Sequence, residues 1–142
     1  MAETFPFEVH APSRLFFREP VESVIISIAD GEIAILKGHS AFTAPVKTGF
    51  LKIKNNKGEW KTAFTADGII ELKEHKTVLM TEAAEWGSEI DRERALHARE
   101  KAEKMLKEGM MRFEKDNAVL SLTRAEYRLK VWEIENRETP RT

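Results

Sequence analysis

The sequence contains no cysteine. That absence excludes disulfide staples, thiolate metal sites and a cysteine nucleophile together, and it suits a reducing compartment. Nor is there a surplus of either charge, since 23 basic side chains stand against 24 acidic ones over 142 residues, a formal charge of -1. Such a balance gives no electrostatic grip on nucleic acid or on an anionic membrane, so neither is expected as a direct partner. No apolar run approaches the ~20 residues of a membrane span, and the opening Met1-Ala2-Glu3-Thr4-Phe5 lacks the basic and apolar stretches of a leader. Membrane association is therefore expected only through a larger complex. A glycine-rich phosphate loop, a nucleophile elbow and a zinc-ligand spacing are also missing, which leaves no recognisable catalytic apparatus.

What is present changes character near Glu85. Charged side chains account for 21 of the first 84 residues but 26 of the remaining 58, while five of the seven glycines and four of the five prolines fall in the first part. Turn-forming residues belong to the first part and helix-forming ones to the second. The expected organisation is two domains, 1–85 and 86–142.

Short β-branched or alternating runs recur between turn signals in the first part, the pattern of a small sandwich or barrel. Phe5, Phe7 and Val9 alternate with polar residues, and Leu15–Phe17 and Val24–Ile28 form two further runs. Asp30-Gly31-Glu32 turns the chain, Asn55-Asn56-Lys57-Gly58 makes a hairpin, and Asp67-Gly68 reads as another such turn. With Ile33–Leu36, Phe50–Ile53, Trp60–Phe64, Ile69–Leu72 and Thr77–Met80, about eight strands are expected.

The second part predicts two helices. Ser88 and Asp91 are alternative N-caps, and Ala95, Ala98, Ala102, Met105 and Leu106 recur at spacings of three and four up to Gly109. After Lys115-Asp116-Asn117 a second stripe runs Ala118, Leu122, Ala125, Leu129 and Trp132 in a 4-3-4-3 pattern. Alanine stripes allow close approach, so an antiparallel hairpin is the economical arrangement, with a frayed tail over Glu135–Thr142. Its apolar face is narrow. At ~25 cal/mol per Å², an alanine methyl contributes well under a leucine side chain, so the hairpin is expected to be weakly held.

Gly31-Glu32, Leu36-Lys37-Gly38-His39-Ser40-Ala41, Gly49-Phe50-Leu51, Asp67-Gly68-Ile69-Ile70-Glu71 and Ile90-Asp91-Arg92-Glu93-Arg94-Ala95 follow one another along the chain. In that order and spacing, from about Phe5 to Leu129, the sequence resembles the epsilon subunit of the bacterial rotary proton-translocating ATP synthase. The resemblance implies a β-sandwich of about ten strands followed by a mobile C-terminal antiparallel two-helix hairpin. It implies a non-catalytic central-stalk subunit that requires no cofactor and joins the gamma subunit to the c-ring. The hairpin would meet the beta subunit in an inhibitory position and fold back to permit hydrolysis. The expected location is the cytoplasmic side of the cell membrane, as a peripheral component. A free-standing ATP-sensing module is the alternative reading.

By that resemblance Glu32, Gly38 and His39 face the polar loops of the c-ring; by themselves, Glu32 equally polarises a turn and His39 equally bonds a loop carbonyl. Lys37 departs from the proline common at its place in the family, which implies a less rigid loop. A second set comprises Glu85, Asp91, Arg94, Lys101, Arg124 and Arg128. Arg94 and Lys101 are seven apart on one helix face, and Arg124 and Arg128 four apart on the next. Convergent cations suit a triphosphate, while carboxylates accept from an adenine amine or orient an arginine. The resemblance implies that this set binds ATP as a regulatory ligand. Lys101 stands where family members that bind nucleotide carry arginine, and losing the planar fork lowers affinity by ~1–2 kcal/mol. Plain surface roles compete, because Asp91 is also a good N-cap and the arginines also suit solvated ion pairs. Glu93, His97 and Glu100 share a helical face, a pattern more usual for an exposed salt-bridge row than for a metal site.

Overall fold

The computed structural model describes residues 3–109 and 111–138, apart from the side chains of Phe113 and Glu138. Two compact units make up the chain, Met1–Glu85 and Trp86–Thr142.

The first unit is built from β1 (Phe5–Ala11), β2 (Arg14–Ile28), β3 (Gly31–Ile35), β4 (Phe42–Val46), β5 (Gly49–Asn55), β6 (Trp60–Thr65), β7 (Gly68–Leu72), β8 (Thr77–Thr81) and the short β9 (Ala84–Trp86). The sheet order is β4-β7-β8-β1-β2-β5-β6-β9, with β3 also paired to β2. A β-sandwich fold followed by two helices is thus what the chain adopts, with nine strands among the described residues rather than about ten. The runs at Leu15–Phe17 and Val24–Ile28 belong to one 15-residue strand. The first half of β2 pairs with β1, Pro20 facing Pro6, and the second half pairs with β3 and β5 across an irregularity between Val21 and Ser23. One long strand therefore serves two sets of partners, which apolar runs read locally cannot reveal.

Period-two alternation is clearest in β5. There Leu51 and Ile53 point into the core while Phe50, Lys52 and Lys54 are more exposed. Phe7, Val9, Ile26, Phe64 and Leu79 complete a core with almost no solvent access. The turn at Asn55 is held by its own side chain, whose Oδ1 accepts from the Lys57 and Glu59 amides at 2.9 Å each, and Gly58 supplies the positive φ of +78°. Asp67-Gly68 proves not to be a hairpin turn. The strands on either side are not partners, since β6 pairs with β5 whereas β7 pairs with β4 and β8. Asp67 instead accepts from the Thr48 amide and hydroxyl, each at 2.8 Å. Gly68 is required for closeness, because a Cβ there would lie 2.1 Å from the Met80 carbonyl oxygen.

In the second unit a single 3-10 turn, Gly87–Glu89, leads into α1 (Arg92–Lys107) and α2 (Arg112–Glu138). The helices share an alanine seam in which Ala95, Ala102, Ala118 and Ala125 are buried. Helix α1 stops at a left-handed Gly109 (φ +65°), as a C-terminal glycine should. Helix α2 begins at Arg112, about six residues before the expected start. Asp116 and Asn117 look like breakers but lie inside its early turns, where the Lys115 amide already donates to the Met111 carbonyl at 3.0 Å. Helix then persists to Glu138 through the first half of the segment expected to fray, whose end, Thr139–Thr142, lies outside the described residues.

Candidate functional site

Two groups of residues need placing, one on the sheet unit and one on the hairpin. On the sheet unit, Gly31 (φ +125°) lets β2 return as β3 through a two-residue loop, which sets Glu32 opposite Ser27 at the start of β3. His39 lies in the loop beyond the other end of that strand. There Gly38 takes φ +87°, a conformation that side chains resist although nothing crowds the position. The His39 amide donates to the Leu36 carbonyl at 3.3 Å, and its ring tilts against Phe42 with centroids 5.5 Å apart. Glu32, Lys37, Gly38 and His39 are all exposed, as is Leu36 at 56%. The loop thus presents a leucine, a lysine and an imidazole to solvent.

On the hairpin, Asp91 is the N-cap of α1, its Oδ1 accepting from the Arg94 amide at 3.1 Å. This satisfies one of the orphan donors of the first turn and places a negative charge at the positive end of the helix dipole. The register of the two helices is set by two contacts. The Arg92 guanidinium lies 5.2 Å from the Trp132 ring centroid, and Gly87 abuts α2 so closely that a Cβ would stand 2.6 Å from the Glu135 Cβ and 3.2 Å from the Val131 carbonyl oxygen. Counting along both helices from the Arg92–Trp132 contact, Arg94 is level with Arg128 and Lys101 with Arg124, each to within a turn. Arg94 and Lys101 are exposed, whereas Arg124 and Arg128 are half-buried. Four cations are therefore gathered along one axial stretch of the hairpin, with Asp91 at its head. Glu85 stands on β9, in the other unit.

Glu93, His97 and Glu100 lie along the exposed side of α1. Among the described residues no three or more carboxylate, histidine or cysteine side chains are grouped as a metal ion would require. Also among the described residues, no helix is long and apolar enough to cross a membrane.

One charged cluster escaped sequence reasoning. Glu8, on β1 and 8% exposed, is faced by His10 Nε2 at 2.8 Å, Lys76 Nζ at 3.4 Å and Arg18 Nε at 3.9 Å. The His10 hydrogen bond, followed by Lys76 and Arg18, holds the Glu8 carboxyl below its ordinary pKa against the opposing effect of burial. A strand-periodic glutamate carries no local mark of this, since Lys76 arrives through the parallel pairing of β1 with β8. Arg92 with Trp132 was equally silent, forty residues apart in the chain.

Comparison with known proteins covers both units. Residues 4–87 match the family described as ATP synthase, Delta/Epsilon chain, beta-sandwich domain, and residues 88–133 match the ATP synthase, Delta/Epsilon chain, long alpha-helix domain. The ATP synthase epsilon chain of Caldicellulosiruptor saccharolyticus is 42% identical over 94% of this chain and 96% of its own length. That of Caldicellulosiruptor bescii is 42% identical over 97% of this chain and 98% of its own. Among solved structures, a chain in the cryo-EM structure of the Euglena gracilis mitochondrial ATP synthase OSCP/F1/c-ring assembly superimposes with a TM-score of 0.69. It is 19% identical and covers 96% of this chain and 82% of its own, a likeness of fold.

Proposed function

Since the chain belongs to the delta/epsilon chain family of ATP synthase, we propose that it is a non-catalytic central-stalk subunit of a proton-translocating ATP synthase. The observation that carries this reading is the end-to-end match of a sandwich followed by a helical hairpin to the two domains of that family. The sheet unit serves as a foot that binds the gamma subunit and, through the loops bearing Glu32, Gly38 and His39, the c-ring. It is thereby held at the cytoplasmic side of the cell membrane. The hairpin regulates: extended, it meets the beta subunit and restrains ATP hydrolysis; folded back, it releases the brake. Burial of Ala95, Ala102, Ala118, Ala125, Leu129 and Val131 within the helical unit suits a hairpin that moves as one piece.

ATP is the regulatory ligand of this reading. Arg94, Lys101, Arg124 and Arg128 take the phosphates, while Asp91 orients arginine or accepts from the adenine amine. The pairing of Arg94 with Arg128 and of Lys101 with Arg124 in axial level supports the assignment, and Lys101 in place of arginine lowers the affinity about tenfold.

Retention by immobilised gamma subunit tests the foot, and failure of gamma to hold the full chain ends the assembly reading. Isothermal titration with ATP tests the hairpin. Arg94→Ala combined with Asp91→Ala is expected to abolish the binding heat while the sandwich stays folded; an unchanged affinity refutes the site.

A further inference from the structure

At one end of the sheet unit three separate segments enclose a cleft of about 230 Å³. Their meeting follows from the pairing. Phe42 faces Leu72 in the β4–β7 ladder, which brings the loop before β4 beside the β7–β8 turn. Phe7 faces Thr77 in the β1–β8 ladder, which brings Thr4–Pro6 to the third side. The turn itself is closed by the Lys73 amide donating to the Lys76 carbonyl at 2.9 Å.

The lining is basic in a chain that is otherwise balanced. Three lysines, Lys37, Lys73 and Lys76, and two histidines, His39 and His75, belong to the lining, against one carboxylate residue, Glu74. Carboxylates outside the cleft hold two of the lysines loosely, Glu71 at 3.6 Å from Lys73 and Glu8 at 3.4 Å from Lys76. Both separations exceed the ~2.7–2.9 Å of a tight charge-assisted hydrogen bond. Each ammonium has three donors, so each keeps capacity for another acceptor. Lys37 belongs to the opposite wall and is exposed.

We infer that this cleft binds a phosphate-bearing anion. Donor residues on different walls suit a tetrahedral group whose acceptors point in several directions, whereas the two oxygens of a carboxylate accept within one plane. Two sources share that chemistry, free phosphate and the headgroup of an anionic phospholipid. Leu36, also in the lining and 56% exposed, gives the rim an apolar edge that a lipid can use. The site does not depend on the ATP reading of the hairpin; it shares Gly38 and His39 with the loop assigned to the c-ring, and it is tested on the isolated chain, where that contact is absent.

The experiment is 15N NMR on the full chain, titrated with sodium phosphate at constant ionic strength, with sodium acetate as control. The expected result is a saturable shift of the Lys37–His39 and Lys73–Thr77 amides with phosphate but not acetate. In Lys37→Ala combined with Lys73→Ala, affinity falls about tenfold or more, while the Leu51 and Phe64 amides stay in place. A second arm measures co-sedimentation with phosphatidylglycerol vesicles against phosphatidylcholine vesicles. Retention on the former alone, lost in the double variant, identifies the headgroup; phosphate saturation without retention identifies the free ion. Absence of both saturable shift and retention overturns the proposal, as does an acetate response equal to that of phosphate, or a double variant that binds like the parent.

Discussion

Gly87 is where a single methyl group tests how the hairpin is held. It is buried, and a Cβ built on it lies 2.6 Å from the Glu135 Cβ, 3.1 Å from its Cγ and 3.2 Å from the Val131 carbonyl oxygen. The nearest of these atoms is attached to the α2 backbone, so no flexible side-chain end can swing aside. Alanine has a compensating advantage, since it restricts the unfolded chain by ~0.4–1 kcal/mol relative to glycine. Overpacking a close contact costs ~1–3 kcal/mol, so the clash wins and Gly87→Ala is destabilising for the junction between the 3-10 turn and α2. The assay is native-state hydrogen exchange. Amides around Val131–Glu135 are expected to exchange several-fold to about a hundred-fold faster in the variant, while Leu51 and Phe64 in the sheet are unchanged. Ser88→Ala, at an exposed neighbouring position, serves as the control and has no effect. Exchange in α2 within a factor of about two of the parent would refute the close-approach argument, and equal acceleration in the sheet would show that the two units do not open separately.

Glu8 predicts a pH dependence. Its folded-state pKa is depressed chiefly by the His10 bond, so its stabilising contribution is present above the ordinary glutamate pKa and is lost as pH falls through the depressed one. Urea midpoints measured from pH 6 down to pH 3 should therefore fall more steeply in the parent than in Glu8→Gln; parallel curves would discard the cluster as an acid-sensitive element. Asp91→Ala removes the α1 cap and should cost about 1 kcal/mol, whereas Asp91→Asn should keep most of the cap's contribution. Thermal melting of the helical signal reads this directly, and no loss on alanine substitution would mean the cap is idle. Arg92 over Trp132 is worth ~0.5–1 kcal/mol at a partly exposed site. A double-mutant cycle of Arg92→Gln with Trp132→Leu measures that coupling, and additive single effects would deny the contact any energy. Leu51→Ala, at a position with no solvent access, should cost ~2–5 kcal/mol; a loss under about 1 kcal/mol in urea unfolding would contradict the core assignment.

Much of this was visible in the chain itself wherever a period is local. Alternation at Leu51 and Ile53 reports one buried face of a strand, and Ala95, Ala102, Ala118 and Ala125 at sevenfold spacing report one seam of a helix pair. Asn55 marks its own hairpin because the side chain that bends the chain belongs to the residue being bent. Asp91 marks a helix start for the same reason. Local signals misled where a residue was serving a distant neighbour. Asp67-Gly68 has the composition of a hairpin, yet Asp67 answers Thr48 and Gly68 makes room for Met80. Asp116 and Asn117 look like a break but are carried inside α2.

Of the candidate residues, Arg94 with Lys101 and Arg124 with Arg128 could be paired from spacing on their own helices. Only the hairpin register, set by Arg92 against Trp132 and Gly87 against α2, brings the two pairs level. The basic cleft is further still from the sequence, since Lys37 and Lys73 come to line one cleft through the β4–β7 ladder. The amino-acid order alone determined a strand-rich first part, a helical second part and the change between them near Glu85, because turn propensity and hydrophobic period act over a few residues. The tertiary structure alone decided that β2 runs unbroken through two sets of partners, that β1 lies parallel to β8 and that Glu8 is surrounded by bases. Those outcomes depend on contacts between segments tens of residues apart, and no period within one segment encodes which distant strand will supply its partner.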